Sequence, residues 1–472
     1  MYKYVKGEQC FSVEKICNVW YTESYVRKKE VFEDLKRRRL SHIQIIALGY
    51  GVMILTGTLL LMLPFSTKEA GGASFTTAFF TATSSSCVTG LVLKDTAVYW
   101  SVFGKCVILT LIQIGGLGFM TMAMMFTMLL RRRAGLRERE VMVESINQLQ
   151  LMGIQRITKI IIVGTLIFEA AGALLLSIRF IPMFGVGKGI FYSVFHSVSA
   201  FCNAGFDLMG TYSGEFSSFT AFASDPLVNI TLTALITIGG IGFFVWDDLL
   251  KCGFKFKKYR LHTKIVLTVS FILTFGGALL FYIFERGSGN GVLAALFDSV
   301  TARTAGFNTV DTASLTSASK LLTVILMLIG GSPGSTAGGV KTATVAVILC
   351  CTFSSVRSKQ STNIFGRRID DDLLKKAVCV LFTNLTLALV GSIAICALQG
   401  VSAIDAMFEA FSAIGTVGMT TGITRDLGLL SKYIVIFMMY LGRVGSVSFA
   451  GALLEKKANP PVTYPSEKII IG

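Results

Sequence analysis

Long apolar stretches alternate along this chain with polar or basic connections, and shorter apolar stretches sit between the long ones. The long runs fall near 41–64, 101–130, 157–182, 227–250, 263–285, 320–352, 375–400 and 430–454. Each exceeds the roughly 20 helical residues needed to cross about 30 Å of hydrocarbon. Eight spanning helices are therefore expected. Between the members of each successive pair lies a shorter run, at 73–87, 189–202, 292–303 and 403–415. These are too short to span, and irregular backbone at membrane depth survives only where it is buried in protein or lines water. They read as four re-entrant pore helices.

Each short run closes on a small triplet ending in glycine: Val88-Thr89-Gly90, Asn203-Ala204-Gly205, Thr304-Ala305-Gly306 and Thr416-Val417-Gly418. Shifting the chain by 115, 101 and 112 residues superposes the four glycines. Upstream, each short run carries Phe followed by a polar residue: Phe80-Thr81, Phe195-His196, Phe297-Asp298 and Phe408-Glu409. Downstream, each second span holds a glycine cluster, at Gly115-Gly116, Gly239-Gly240, Gly330-Gly331 and Gly442. The expected architecture is an all-α membrane protein of four concatenated membrane-pore-membrane repeats around one pore, because four similar hairpins bury their polar loops best by facing a common axis.

Composition agrees, with 53% hydrophobic and 15% charged residues. The net charge of +16 invites a nucleic-acid reading, but 32 of the 44 Lys and Arg fall at 1–41, 131–160, 251–264, 356–376 and beyond Glu455. These are the two ends and every second connection. Under the positive-inside rule this places both termini in the cytoplasm of a multi-pass cell-membrane protein, beside anionic lipid, and no nucleic-acid partner is expected. Ten cysteines without CxxC spacing and three histidines offer no zinc site or disulfide framework.

The chemistry expected at the axis follows from the triplets. Carbonyl oxygens aimed inward need a backbone that a Cβ often forbids, which suits Gly90, Gly205, Gly306 and Gly418. Carbonyls together with the Thr89, Thr304 and Thr416 hydroxyls suit a hard monovalent cation, and the triplets carry no carboxylate of the kind a divalent filter uses. Potassium leads as the translocated ion, sodium is the second candidate, and no organic cofactor is expected. The short helices would point their carbonyl-rich ends at the pore. His196, Asp298 and Glu409 are expected to hydrogen-bond the filter backbone rather than the ion.

On the residues Cys87-Val88-Thr89-Gly90-Leu91, Cys202-Asn203-Ala204-Gly205-Phe206, Arg303-Thr304-Ala305-Gly306-Phe307 and Gly415-Thr416-Val417-Gly418-Met419, the chain resembles the Trk/Ktr/HKT superfamily of potassium transporters. The likeness covers about residues 40 to 455. Where Trk-type subunits carry an extra hydrophobic hairpin before the first repeat, this chain offers a polar arm, so it is closer to the Ktr-type subunit. The resemblance implies a homodimer, each protomer with its own pore, docked on a cytoplasmic ring of nucleotide-binding regulatory subunits.

Two further features lie inside apolar sequence. Arg443 stands in the last span, and an intramembrane charge is a functional hypothesis by default. The third repeat breaks its second span with Gly330-Gly331-Ser332-Pro333-Gly334-Ser335-Thr336-Ala337-Gly338-Gly339, followed by Val340 and Lys341. No continuous helix survives that composition, and a flexible segment beneath a filter is placed to obstruct it. The resemblance implies that this is an intramembrane gating loop and that Arg443 lies below the filter. A phosphate-loop reading fails by one residue, since Val340 occupies the lysine position. Ser335 has no visible His-Asp partnership for hydrolysis.

These readings divide the chain into an arm (1–40), repeat 1 (41–130), a link (131–156), repeat 2 (157–250), a link (251–262), repeat 3 with the loop (263–355), a link (356–374), repeat 4 (375–454) and a tail (455–472). The leading function is channel-like potassium uptake, gated at the loop by a cytoplasmic partner. The alternative is a sodium- or proton-coupled symporter using alternating access. A membrane enzyme finds no catalytic constellation.

Overall fold

The computed structural model describes residues 42–118 and 154–445, except 70, 290 and 360, together with residues 121, 122 and 125. The expected arm, most of the first link and the tail lie outside the described residues. So do most of 119–130 and all of 446–454.

Nearly every regular element is helical. The helices longer than one turn are α1 (His42–Leu61), α2 (Phe75–Cys87), α3 (Val102–Leu117), α4 (Ile154–Phe184), α5 (Val186–Phe201), α6 (Pro226–Ile241), α7 (Phe243–Cys252), α8 (Leu261–Phe284), α9 (Val292–Thr301), α10 (Ser317–Leu328), α11 (Thr342–Val356), α12 (Asp371–Gln399), α13 (Ala403–Gly415) and α14 (Leu429–Val444). A two-residue hairpin pairs Asn363–Ile364 with Arg367–Arg368. Polar caps start several helices where the apolar runs begin. Ser74 accepts from the Thr77 amide, Ser101 from Gly104, and Asp225 from Leu227 with Pro226 at the first helical position.

Among the described residues, four helices are long and apolar enough to cross a membrane: those over Gln44–Leu61, Arg156–Phe184, Leu261–Phe284 and Asp372–Gln399. The remaining long apolar runs are shorter or broken as helices. The run expected as a span over 227–250 is two helices, α6 and α7, bent by 92° at Gly242. Gly242 has φ +100, a conformation in which an L side chain is strained, so helical hydrogen bonding stops there despite continuous apolar sequence. Gly118 and Gly445 end α3 and α14 in the same way, with φ +85 and +94. The run over 320–352 is likewise two helices, α10 and α11, joined through residues 329–341.

The packing is cyclic. Helix α3 packs on α5, α6 on α9, α10 on α13, and α14 on α2, which returns to the start. Each of the short helices α2, α5, α9 and α13 also packs on the long helix before it. The core therefore runs as a ring of buried aromatics, among them Phe80, Phe195, Phe297 and Phe408, all at most 1% exposed. Outward faces of the long helices keep apolar side chains such as Leu174, Phe271 and Phe382 exposed, as a lipid-facing surface requires.

Candidate functional site around the four glycine triplets

All four short helices end at the triplets, and there the backbone reverses its hand. Val88, Asn203, Thr304 and Thr416 have φ of +58, +59, +86 and +51, and Gly90, Gly205, Gly306 and Gly418 have φ of +98, +68, +80 and +95. The residues between them do not. Left-handed backbone is natural for glycine but strained for β-branched Val88, Thr304 and Thr416, at about 1–3 kcal/mol each.

The reversal is held by the helix ends. The amides of Val88, Asn203 and Thr416 donate to the carbonyls of Ser85, Ala200 and Ala413 at 3.1–3.2 Å. Those of Thr89, Ala204, Ala305 and Val417 donate to the carbonyls of Ser84, Ser199, Thr301 and Ser412 at 2.8–2.9 Å. These bonds satisfy orphan carbonyls of the helix C-termini and use seven of the triplet N–H groups. The carbonyl oxygens of Thr89, Ala204, Ala305 and Val417 each lie beside the glycine of a neighbouring triplet.

A ring results. A Cβ placed on Gly90 would lie 2.5 Å from the Ala204 carbonyl oxygen, and one on Gly205 would lie 2.8 Å from that of Ala305. On Gly306 and Gly418 it would collide with the carbonyl oxygens of Val417 and Thr89. Each triplet thus meets the next, and the fourth meets the first. Within this ring the Thr89 and Thr416 hydroxyls are buried and have no protein partner among the described residues. The Asn203 amide and the Thr304 hydroxyl share a hydrogen bond of 3.1 Å; with Oδ1 facing Thr304, Nδ2 also reaches the Ala200 and Ile236 carbonyls.

Four hydroxyls that the triplet pattern alone overlooks anchor the loops. Ser84 and Ser412 accept from the amides of Gly90 and Gly418 at 3.1 and 3.0 Å. Ser199 and Thr301 donate to the carbonyls of Phe206 and Phe307, each at 2.7 Å. Their signal was present in the chain: a hydroxyl six residues before the glycine in three segments and five in the third. The upstream polar positions divide. His196 accepts from the Leu208 amide at 2.9 Å, and Glu409 accepts from the Thr420 and Thr424 hydroxyls at 2.8 and 2.6 Å, so both hold the chain just beyond a triplet. Arg303, directly before a triplet, donates from Nη2 to Thr274 Oγ1 at 2.9 Å.

Beyond the glycines opens a cavity of about 60 Å³, lined by all four glycines together with Asp95 and Asp207 among others. The 207–225 segment crosses it. Phe216 N donates to Asp95 at 2.9 Å, Phe219 N to the Asn308 carbonyl at 2.9 Å, and the Arg425 guanidinium lies 4.0 Å over the Phe216 ring. Burial, reinforced by nearby Asp95, pushes the Asp207 carboxyl up to about 7.

On the other side lies the 330–341 segment. Its ends meet through Gly330 N to Val340 O at 2.8 Å and Thr342 N to Gly331 O at 3.0 Å. A Cβ on Gly330 would lie 3.2 Å from the Thr304 methyl, and one on Gly338 would collide with the Thr416 hydroxyl. Gly339, with φ +63, stands against the Gly415 backbone. Ser332 and Thr342 hydroxyls pair at 3.1 Å, Ser335 Oγ donates to the Ser332 carbonyl, and Lys341 Nζ donates to Ala337 and Gly338 carbonyls at 2.6 and 3.2 Å. Among the described residues, Arg443 hydrogen-bonds to oxygen atoms. It donates to the Thr336 carbonyl at 2.5 Å, to the carbonyls of Gly115 and Gly116, and to Tyr50 Oη at 3.4 Å.

Fold and site together define a helical, multi-pass membrane protein whose loops converge on one axis. The chain belongs to the TrkH family of cation transport proteins, whose profile matches residues 33–454. Its relatives are transport proteins rather than enzymes, and so is this chain. It is 40% identical over 450 residues to the potassium/sodium uptake protein NtpJ of Enterococcus hirae, covering 92% of this chain and 98% of that protein. It is 38% identical over 448 residues to the Ktr system potassium uptake protein B of Bacillus subtilis, covering 93% and 98%. The crystal structure of the potassium transporter TrkH from Vibrio parahaemolyticus shares its fold, with a TM-score of 0.71 over 89% of this chain and 86% of that one at 17% identity.

Two outcomes test this site. Ser84→Ala strips the Gly90 amide of its buried acceptor and should cost about 1–3 kcal/mol in thermal unfolding. Ser86→Ala, whose hydroxyl has no partner among the described residues, should cost less; equal losses would refute the anchoring role. Protonating Asp207 removes a negative charge from the cavity, so cation transport at low cation concentration should fall as the pH on the cavity side drops from about 8 to about 6, bracketing its raised value. Asp207→Asn should flatten that profile.

Proposed function

We propose that the chain carries potassium, with sodium as a secondary ion, into the cell through a single pore built from four membrane-pore-membrane repeats. The carrying observation is the closed ring of triplet backbones, each glycine seated against the next loop's carbonyl. An ion on that axis would be surrounded by oxygens in place of its hydration shell. Val88, Thr89, Gly90, Asn203, Ala204, Gly205, Thr304, Ala305, Gly306, Thr416, Val417 and Gly418 form the filter in this reading. The orphaned hydroxyls of Thr89 and Thr416 fit a hard cation. Names of the relatives, potassium/sodium uptake and potassium uptake, support the choice of ion.

In the same reading α1, α3, α4, α6 with α7, α8, α10 with α11, α12 and α14 make the eight crossings, and α2, α5, α9 and α13 are re-entrant. Both termini lie in the cytoplasm, as the basic connections require. Residues 330–339 with Lys341 and Arg443 form the gate. The loop lies directly against Thr304 and Thr416, and Arg443 ties it to the end of α3 while placing a positive charge below the filter. Relatives named as parts of a Ktr system support a cytoplasmic regulatory subunit as partner. A homodimer with a nucleotide-binding ring completes the proposal.

Purified protein in liposomes provides the test, with potassium and sodium uptake measured side by side. Gly205→Ser and Gly306→Ser force a side chain against a neighbouring carbonyl and should lower the potassium-to-sodium ratio by roughly tenfold, the effect of about 1.4 kcal/mol between ions; an unchanged ratio would remove the triplets from selectivity. Deleting residues 332–339 should raise uptake, as should Arg443→Gln to a smaller degree. Wild-type rates in the deletion would sink the gate assignment.

A further inference from the structure

The loop under the triplets is fastened to a different part of the ring. Ser332 N donates to the Gly240 carbonyl at 3.0 Å, Thr336 N to Gly239 at 3.3 Å, and Phe243 N to the Gly334 carbonyl at 2.7 Å. All three bonds converge on the bend between α6 and α7. The two segments are in close contact. A Cβ on Gly242 would lie 2.8 Å from the Pro333 carbonyl, and one on Gly334 would lie 2.6 Å from the Phe244 ring.

From that bend α7 runs for ten residues. Its middle is wedged by Trp246, which contacts the rings of Phe168, Phe201 and Phe243, while a Cβ on Gly164 would lie 2.8 Å from its indole. One turn beyond Phe243 and Phe244 stand two buried carboxylates. The Asp247 side chain is only 4% exposed, yet its partners are exposed cations from three places: Arg156 of α4 at 3.8 Å, Arg260 before α8 at 3.6 Å, and Lys251 of α7 itself. Asp248 accepts from the Thr263 hydroxyl at 2.6 Å and the Arg260 amide at 3.2 Å, and pairs with the Arg260 guanidinium at 3.3 Å. A buried carboxylate depends on the cations that hold it, because its charge is uncompensated once they are withdrawn. Those cations lie on the face that the basic connections assign to the cytoplasm.

We infer that α7 is a lever: its Asp247 and Asp248 ion pairs fix the bend at Gly242, and the bend holds residues 332–336 beneath the triplets. Freeing the ion-paired end lets the bend move and the loop withdraw. Asp247, Asp248 and Gly242 are thus positioning residues for the loop, none of them in contact with the permeating ion. The inference rests on the reading of that loop as the gate.

The test uses the full chain in liposomes, with rubidium uptake as the flux readout and amide hydrogen exchange at Ser332 and Thr336 as the structural one. Asp247→Asn should raise initial uptake roughly fivefold or more, the lower end of usual coupling between sites. It should also speed exchange at both amides and leave the rubidium-to-sodium ratio unchanged. Asp247→Glu should restore wild-type behaviour. Gly242→Ala, which touches no charge, should act in the same direction, and together with Arg260→Gln it carries the test if Asp247→Asn does not assemble. With residues 332–339 deleted, Asp247→Asn should add nothing. If the deletion raises uptake while assembled Asp247→Asn and Gly242→Ala match wild type in flux and exchange, the lever is refuted and the gate stands. If the deletion itself has no effect, the gate reading fails first. An equal rise from Asp247→Asn with and without the loop would also overturn the inference.

Discussion

Around the central axis, main chain meets main chain with no side chain between, and the surrounding structure is arranged to make that contact possible. Each triplet glycine lies where a Cβ would strike the next loop's carbonyl. Such an approach needs left-handed backbone at alternate positions, three of which fall on β-branched residues. That strain persists because the helix C-termini take the triplet amides and because Ser84, Ser199, Thr301 and Ser412 hook the loops from behind. Backbone reversal, helix ending and hydroxyl anchoring are thus a single solution to one steric requirement.

The same economy of bulk extends one layer outward. Gly115, Gly239 and Gly442 each sit against a carbonyl near the end of a short helix, those of Ser86, Phe201 and Ile414. The second helices can therefore press on the ring from outside. In the third segment the corresponding glycines, Gly330 and Gly331, begin an irregular loop instead. Its main-chain groups find partners in Gly239, Gly240, Phe243 and Val340, and Arg443 supplies a donor to Thr336. Irregular backbone in apolar surroundings is tolerated on that condition. Three of those hydrogen bonds join the loop to the α6–α7 bend.

The ring is fourfold in outline and unequal in detail. Val88, Asn203, Thr304 and Thr416 occupy matching positions with three kinds of side chain, and the Asn203–Thr304 hydrogen bond joins one pair of neighbours. The outer 207–225 segment belongs to one quarter yet reaches residues from the other three, at Asp95, Asn308 and Arg425. A single chain can differentiate its quarters in this way, whereas four identical subunits would repeat every feature four times.

Local chemistry made much of this legible beforehand. Apolar run length sets which segments can be long helices, so the short runs ending in Gly90, Gly205, Gly306 and Gly418 stood out, and the Gly-Pro-rich composition of 330–339 announced a broken helix. The hydroxyls behind the triplets were also written at regular spacing, hidden only because Ser and Thr are common in apolar helices. Hydropathy could not reveal the 92° turn at Gly242, since an apolar run reads alike whether its helix is straight or bent. Nor could it join Arg303 to Thr274, or Asp247 to Arg156 and Arg260. Those pairings span tens of residues and depend on how helices pack around the ring. The sequence by itself determined which segments prefer lipid and where the backbone can reverse; tertiary structure decided which polar groups meet, because a buried donor takes whichever acceptor packing brings within reach.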